Sequence, residues 1–177
     1  KIDLCLDYFR HNFGRSRFHH IDVFVENYLS LVGDEADRAK AEILQAFSSQ
    51  CKSLYLSASI TPGFMDVIEK LEGNKYVASG SEQEELRDVF KIRGLDKYFK
   101  GVYGSPTKKS DLVANILNIE NTDNAIMFGD AISDFEAAQA NKIDFIAYLP
   151  FSNVKESLLK LSIENGFNTL GAWGNIP

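Results

Sequence analysis

The sequence predicts an α/β protein in which helices cover both faces of a parallel sheet, preceded by a region of helices alone. Two observations lead to this fold class. From about residue 54, short apolar segments alternate with amphipathic helical segments, which is typical of parallel sheets with crossover helices. Residues 1 to 53 instead show only helical periodicity. We therefore expect a helical domain over residues 1–53 and an α/β core over residues 54–177.

In the helical region, apolar residues recur at helical spacing in three stretches separated by Gly14 and Gly33, the third of them over residues 35–50. In the core, the apolar segments predict strands at 75–78, 101–103, 125–128, 145–149 and 169–173. Helices are predicted from about 64 to 71 and at 81–92, 110–117, 133–140 and 154–163. This order favours right-handed crossovers and a single three-layer core.

Composition excludes two classes of partner. The 177 residues carry a formal net charge of −6, which argues against nucleic acid because phosphate backbones select basic surfaces. No apolar run approaches the roughly 20 residues of a membrane helix. The spacing of Cys5 and Cys51 matches no zinc site and indicates a reducing compartment, so the expected location is the cytoplasm.

Three predicted strands end in small or acidic residues, in the turns that start at Ser79, Gly104 and Gly129. Parallel sheets bind ligands at the carboxyl ends of their strands. We therefore expect the turns Ser79-Gly80-Ser81, Gly104-Ser105-Pro106 and Gly129-Asp130 to form one site.

The last turn carries two carboxylates, Asp130 and Asp134, four residues apart at the start of a predicted helix. Carboxylates at this spacing can approach one point, and Mg²⁺ prefers oxygen ligands. The alternative is that one Asp caps the helix while the other complements its dipole. A buried strand and a glycine before the pair favour a magnesium site.

The other turns offer groups for binding an anion. The Ser79 hydroxyl can donate to a phosphate oxygen, and Gly80 lets the backbone approach closely. The alternative for this turn is a helix cap, in which Ser81 and Glu84 form a capping box. Lys108 and Lys109 begin a helix, where a cation is disfavoured unless it stays solvated or holds an anion.

Together these turns resemble the haloacid dehalogenase superfamily, in the phosphoglycolate phosphatase and β-phosphoglucomutase-like branch. Val77-Ala78-Ser79-Gly80 is similar to the end of the family's second strand, and Gly129 to Asp134 is similar to its acidic motif. Lys109 is the better match to the family's lysine. The resemblance covers residues 55 to 150 and implies a Rossmann-like core with a small helical cap. It also implies Mg²⁺ bound by Asp130 and Asp134, with Ser79, Gly80 and Lys109 holding the phosphate of a small phosphorylated metabolite.

One family feature has no match. The family's nucleophile is the first Asp of an Asp-x-Asp motif on a strand before the cap, whereas Asp3 and Asp7 lie in helical patterns. The family fold places that strand in the middle of the sheet, so its absence would leave two edges unpaired. Because the sequence starts at Lys1, we expect residues upstream to supply this strand, or a segment from elsewhere to fill the slot. The 177-residue chain alone is expected to lack phosphatase activity.

The resemblance implies hydrolysis through an aspartyl-phosphate, with Arg15 and Arg17 of the cap holding the substrate's anionic end or lying on a solvated surface. A phosphomutase with the same residues and a catalytically inactive binding module are alternatives. A metal-independent dehalogenase is disfavoured by the Asp130 and Asp134 pair.

Overall fold

The computed structural model describes residues 1–176, and Pro177, the last residue of the predicted core, lies outside the described residues. The eight α-helices of this part are α1 Ile2–His11, α2 Arg17–Val23, α3 Gly33–Ser57, α4 Phe64–Lys70, α5 Gln83–Ile92, α6 Lys109–Glu120, α7 Ile132–Ala140 and α8 Lys155–Asn165. The five strands are β1 Tyr76–Glu82, β2 Gly101–Ser105, β3 Ile126–Gly129, β4 Asp144–Tyr148 and β5 Asn168–Leu170. This mixed α/β architecture with parallel strands confirms the predicted fold class. None of the helices in residues 1–176 combines the length and apolar character that crossing a membrane requires.

The helical region has its own small core. Ser16 caps α2 by accepting from the His19 amide at 3.2 Å, and a π-helical segment, Phe24–Leu29, extends α2. Ile21 and Val25 pack against Ala36 of α3 and are almost fully buried. The helix α3 runs to Ser57, beyond the residues 35–50 predicted, because its last turns contact the α/β core.

The strands form two parallel sheets. One has the order β1-β2, pairing Tyr76 with Gly101, and the other has the order β3-β4-β5, pairing Ile126 with Asp144. Within residues 1–176, β1 and β3 are not hydrogen-bonded to each other. Each of these two strands therefore has one open edge.

Helices cover the sheet of β3 to β5 on one face with a core around Phe145, Ala147 and Leu158. On the opposite face, Trp173 stacks on Tyr148 with ring centroids 4.4 Å apart. The Trp173 indole N–H donates to the Thr61 hydroxyl at 2.7 Å. These contacts shorten the predicted last strand to Asn168–Leu170, since Trp173 turns inward in a 3-10 helix.

The predicted start of α5 is wrong. Glu82, rather than Ser81, caps this helix, and its carboxylate accepts from the amides of Glu84 at 3.1 Å and Glu85 at 2.8 Å. The Ser81 hydroxyl instead pairs with the Tyr55 hydroxyl of α3 at 2.9 Å. No Ser81–Glu84 capping box therefore exists, and Ser81 serves to join the helical region to the sheet.

Candidate active site

The lysine that follows β2 reaches the acidic turn that follows β3. Lys109 is the first residue of α6, and its ammonium group forms an ion pair with the Asp134 carboxylate and lies 3.4 Å from the Ser133 hydroxyl. Its side chain is 12% exposed, whereas Lys108 is exposed and makes no ion pair with the described residues. The structure thus brings Lys109, rather than Lys108, to the acidic turn.

Asp134 is a positioning group at the start of α7. Its Oδ2 atom accepts from the amides of Asp130 at 3.1 Å and Ala131 at 3.0 Å, and its Oδ1 atom pairs with Lys109. The side chain is buried, so these three donors compensate its charge. Asp134 therefore carries out the helix-capping role that the sequence allowed for one of the two carboxylates.

Asp130 has a different environment. It follows the last residue of β3, and its carbonyl oxygen accepts from the Ser152 hydroxyl at 2.6 Å. No side chain of residues 1–176 donates to its carboxylate. Burial and the nearby Asp134 charge raise the pKa of Asp130 to about 6, against the opposing effect of Lys109. A cation bound at this carboxylate would offset both effects that raise the pKa, because it stabilises the charged form.

The donor set fits a hard cation that brings most of its own ligands. Among the described residues, no group of three or more His, Cys, Asp or Glu side chains could enclose a metal ion. Mg²⁺ is commonly held by one or two carboxylates, with water and substrate phosphate completing its octahedron. Asp130 has the free carboxylate that such a site would need, while the oxygens of Asp134 already have partners.

The predicted end of β1 at residue 78 is wrong, because the strand continues to Glu82 and its pairing with β2 is irregular between Ala78 and Glu82. Ser79, Gly80 and Ser81 form this irregular stretch, called the Ser79–Gly80 turn below, which lies beside the helical region. The Ser79 hydroxyl oxygen accepts from the Ser81 amide at 3.1 Å, which leaves its proton available for donation to a ligand. A methyl group on Gly80 would lie 2.9 Å from the Gly14 carbonyl oxygen and 3.0 Å from that of Arg15. Only glycine therefore allows the loop of the helical region to approach this turn so closely.

The same loop also contacts the acidic turn. Gly14 has a φ of +91°, and a methyl group there would lie 2.7 Å from the Ser133 hydroxyl and against the Ala131 side chain. The Gly14–Arg15 loop thus lies against the Gly80 turn and against the Ala131–Ser133 turn. The helical region consequently contacts the carboxyl-terminal ends of both β1 and β3.

The remaining predicted positions differ in their surroundings. Arg15 is exposed and lies 3.5 Å from Glu136, whereas Arg17 is buried and pairs with Glu85 at 2.7 Å. Ser105, the last residue of β2, is fully buried. Asp3 and Asp7 are exposed on α1, so neither takes the position of a nucleophile.

Sequence reasoning missed Glu85 and Ser133. Glu85 is 68 residues from Arg17, so no local spacing indicates their ion pair. Ser133 lies inside the acidic motif, and its hydroxyl could have been expected to point toward the ligand because it occupies the first turn of α7.

Gly129→Ala should disrupt the acidic turn, because a methyl group at this position would overlap the Asp134 side chain. We expect a loss of about 2–4 kcal/mol in the free energy of unfolding, the range typical of overpacking combined with a broken buried ion pair. Urea unfolding of Gly129→Ala and of the control Gly171→Ala measures it. Gly171 has no atom within 4 Å of the added methyl group, so equal losses for the two variants would contradict the packing described here.

Comparison with known proteins agrees with this architecture. Residues 18–148 match the model of the haloacid dehalogenase-like hydrolase family. No curated protein matches the sequence significantly. Among solved structures, CbbY from Rhodobacter sphaeroides in complex with phosphate has a TM-score of 0.73 and 17% identity, covering 96% of this chain and 79% of that one.

Two further structures are similar. A haloacid dehalogenase-like family hydrolase from Streptococcus pneumoniae has a TM-score of 0.60 and 16% identity, over 93% of this chain and 85% of that one. The protein described as a predicted phosphatase from Clostridium acetobutylicum has a TM-score of 0.59 and 16% identity, over 90% and 87%. At these identities the structures establish the fold, whereas the family match spans well over half of the sequence. The chain therefore belongs to the haloacid dehalogenase-like hydrolase family.

Proposed function

We propose that this protein is a Mg²⁺-dependent phosphohydrolase that acts on a small phosphomonoester. The observation that carries the proposal is that Lys109 reaches the Asp130–Asp134 turn, while the Gly14–Arg15 loop lies against both that turn and the Ser79–Gly80 turn. Cationic, hydroxyl and carboxylate groups in this arrangement suit a phosphoryl group and its metal. The similarity in fold to CbbY, which was solved in complex with phosphate, supports the same ligand class.

Mg²⁺ is the proposed cofactor, with Asp130 as its direct ligand and Asp134 holding the turn in place. The metal would neutralise charge that develops on the phosphoryl oxygens. The raised pKa of Asp130 supports this assignment, because a bound cation stabilises the carboxylate form that burial penalises.

We further infer that an additional parallel strand lies between β1 and β3 and carries the nucleophilic Asp. The open edges of β1 and β3 support this inference, and so does the incomplete burial of their side chains. No residue of β1 or β3 is fully buried, although both strands are next to the site, while β2 and β4 each contain buried residues. A strand between them would pair both edges and bring its carboxyl end to Lys109 and Asp130.

In the proposed reaction, a carboxylate oxygen of that Asp attacks phosphorus as the bond to the ester oxygen breaks. The leaving alkoxide takes a proton from the second Asp of the same Asp-x-Asp motif, which acts as the general acid, and the enzyme becomes an aspartyl-phosphate. Water then hydrolyses the acyl phosphate and releases inorganic phosphate. Ser79 and the Gly80 amide would donate to phosphoryl oxygens, and Lys109 would hold both the phosphate and the nucleophile.

The helical residues 1–53 act as the cap over the core of residues 54–177 in this proposal. Their Gly14–Arg15 loop shields the reaction from water, and Arg15 and Arg17 contact the part of the substrate beyond the phosphate. Cys5 and Cys51 are free thiols, which supports a reducing compartment such as the cytoplasm.

Binding of Mg²⁺ and inorganic phosphate to the 177-residue chain tests the proposed site without requiring turnover. We expect Mg²⁺ with phosphate to raise the thermal midpoint of the wild-type chain, because both bind only the folded state. The Asp130→Asn variant should show no Mg²⁺-dependent rise, since its amide cannot offer the charge. Asp144→Asn, an exposed change on β4, is the control and should respond like the wild type. An equal rise in Asp130→Asn would refute the metal assignment.

A further inference from the structure

Ser152, in the loop after β4, is hydrogen-bonded to the backbone of Asp130, which lies 22 residues away along the chain. The Ser152 hydroxyl is 2.6 Å from the Asp130 carbonyl oxygen and 3.1 Å from the Val154 amide nitrogen. Because an amide nitrogen only donates, the hydroxyl oxygen accepts from Val154 and its single proton goes to Asp130. Ser152 therefore joins the end of β4 to the acidic turn after β3.

The loop that carries Ser152 is anchored at both of its ends. Leu149 and Val154, on either side of Ser152, are buried in the core of the β3–β5 sheet. The Leu149 amide donates to the Leu170 carbonyl at 3.0 Å, and the Ser152 amide donates to the Leu149 carbonyl at 3.2 Å. The position of the Ser152 hydroxyl is therefore set by the sheet itself.

The peptide group that joins Asp130 to Ala131 is held at both of its ends. Its carbonyl accepts from Ser152, and its N–H, which belongs to Ala131, donates to the Asp134 carboxylate at 3.0 Å. The preceding peptide group is held as well, since the Asp130 N–H donates to the same Asp134 oxygen at 3.1 Å. Peptide groups are planar, so holding these two planes fixes φ and ψ of Asp130. The direction of its Cα–Cβ bond is thereby fixed too.

This anchoring orients a carboxylate that has no other support. No side chain of residues 1–176 donates to the carboxylate of Asp130, so its direction depends on the backbone. The carboxylate oxygens stay available to a cation. Removing a group that orients a metal ligand typically costs 10-fold to 100-fold in metal affinity or activity. Of the two groups that hold the Asp130 backbone, Ser152 is the neutral one, so its removal leaves no buried charge.

We propose that Ser152 is a positioning residue for the metal site, whose hydroxyl fixes the Asp130 peptide group and thereby directs the Asp130 carboxylate at the cation. The presence of the cation rests on the proposed function. Ser152 itself contacts neither the metal nor the phosphate in this role. A serine that served only as the acceptor for the Val154 amide, before α8, would affect stability without affecting the metal.

Mg²⁺ activation of p-nitrophenyl phosphate hydrolysis by the full-length protein tests this role. Ser152→Ala should raise the Mg²⁺ concentration for half-maximal activity about tenfold, while the KM for the ester at saturating Mg²⁺ changes less than about twofold. Ser152→Thr keeps the hydroxyl and should restore the wild-type Mg²⁺ requirement. Ser162→Ala is the matched control, because it removes a half-buried serine hydroxyl that donates to a carbonyl within α8, that of Leu159 at 2.8 Å.

Amide hydrogen exchange of the metal-free protein, followed by NMR, measures the positioning itself. The Ala131 amide should exchange about fivefold faster in Ser152→Ala, because its peptide group is then held at one end only. The Lys100 amide donates to the Lys75 carbonyl at 2.8 Å, at the amino ends of β1 and β2, and should keep its wild-type rate. Faster exchange at both amides would indicate general destabilisation and count against the proposal.

A wild-type Mg²⁺ requirement in Ser152→Ala, an equally raised requirement in Ser162→Ala, or an unchanged exchange rate at Ala131 would overturn the proposal. Failure of the proposed function gives a different result, in which the wild-type protein shows no response to Mg²⁺. In that case, faster exchange at Ala131 in Ser152→Ala would still support Ser152 as the residue that positions Asp130.

Discussion

Asp130→Asn is expected to reduce Mg²⁺-dependent hydrolysis of p-nitrophenyl phosphate by the full-length protein at least about 1000-fold, because the direct metal ligand loses its charge. The same change should make the fold more stable at neutral pH. A variant that gains stability while losing activity cannot owe its inactivity to misfolding. Initial rates of nitrophenol release, together with urea unfolding, measure the two effects.

The expected gain in stability follows from the pKa of Asp130, which rises from an ordinary 3.8 to about 6 in the folded protein. The folded state therefore favours the protonated form, and the wild-type protein loses this contribution as the pH rises from about 4 through 6. At pH 8 the charged group costs up to about 3 kcal/mol, which the amide avoids.

The gain for Asp130→Asn should thus disappear below about pH 4, where wild-type Asp130 is protonated in both states. Asp144→Asn, on the exposed start of β4, should change neither activity nor stability appreciably. Full activity in Asp130→Asn, or a loss of stability at pH 8, would be inconsistent with a buried metal ligand at this position.

Lys109→Ala is expected to have the second-largest effect. Its ammonium group is the charged partner of the buried Asp134, so its removal should cost about 3 kcal/mol in the free energy of unfolding. Turnover should fall about 100-fold to 1000-fold, because a donor to the phosphoryl group is lost.

The neighbouring Lys108→Ala serves as the matched control. Lys108 is exposed at the N-cap of α6, so the change should alter stability by less than about 0.5 kcal/mol. Unfolding curves and initial rates of both variants at equal Mg²⁺ concentration give the comparison. Larger effects in Lys108→Ala would move the assignment of the functional lysine by one residue.

Local pattern was sufficient for most of the fold. The apolar segments before Ser79 and Asp130 predicted β1 and β3, because burial and turn-forming residues are both local signals, although β1 continues to Glu82. Tertiary contacts determined the remaining boundaries. Tyr55 extends α3 because it bonds to Ser81, and that contact leaves Glu82 to cap α5. Neither effect could be read from residue spacing.

The candidate site was predictable to the same extent. The convergence of the turns follows from parallel topology, which the alternation of strands and helices indicates. The division of roles between Asp130 and Asp134 does not follow from the topology, since it depends on which carboxylate the backbone amides and Lys109 contact. The buried pair of Arg17 and Glu85 joins two distant segments, so it was likewise inaccessible to sequence patterns.

The most direct test of the proposed function is phosphate release from small phosphomonoesters by the full-length protein, measured with and without Mg²⁺. The proposal predicts turnover that requires Mg²⁺ and passes through a phosphoenzyme that survives acid quenching but is cleaved by base and by hydroxylamine, as an aspartyl-phosphate would be. Phosphate release that persists in EDTA, or the absence of turnover with every phosphomonoester while the protein remains folded and binds Mg²⁺, would contradict it.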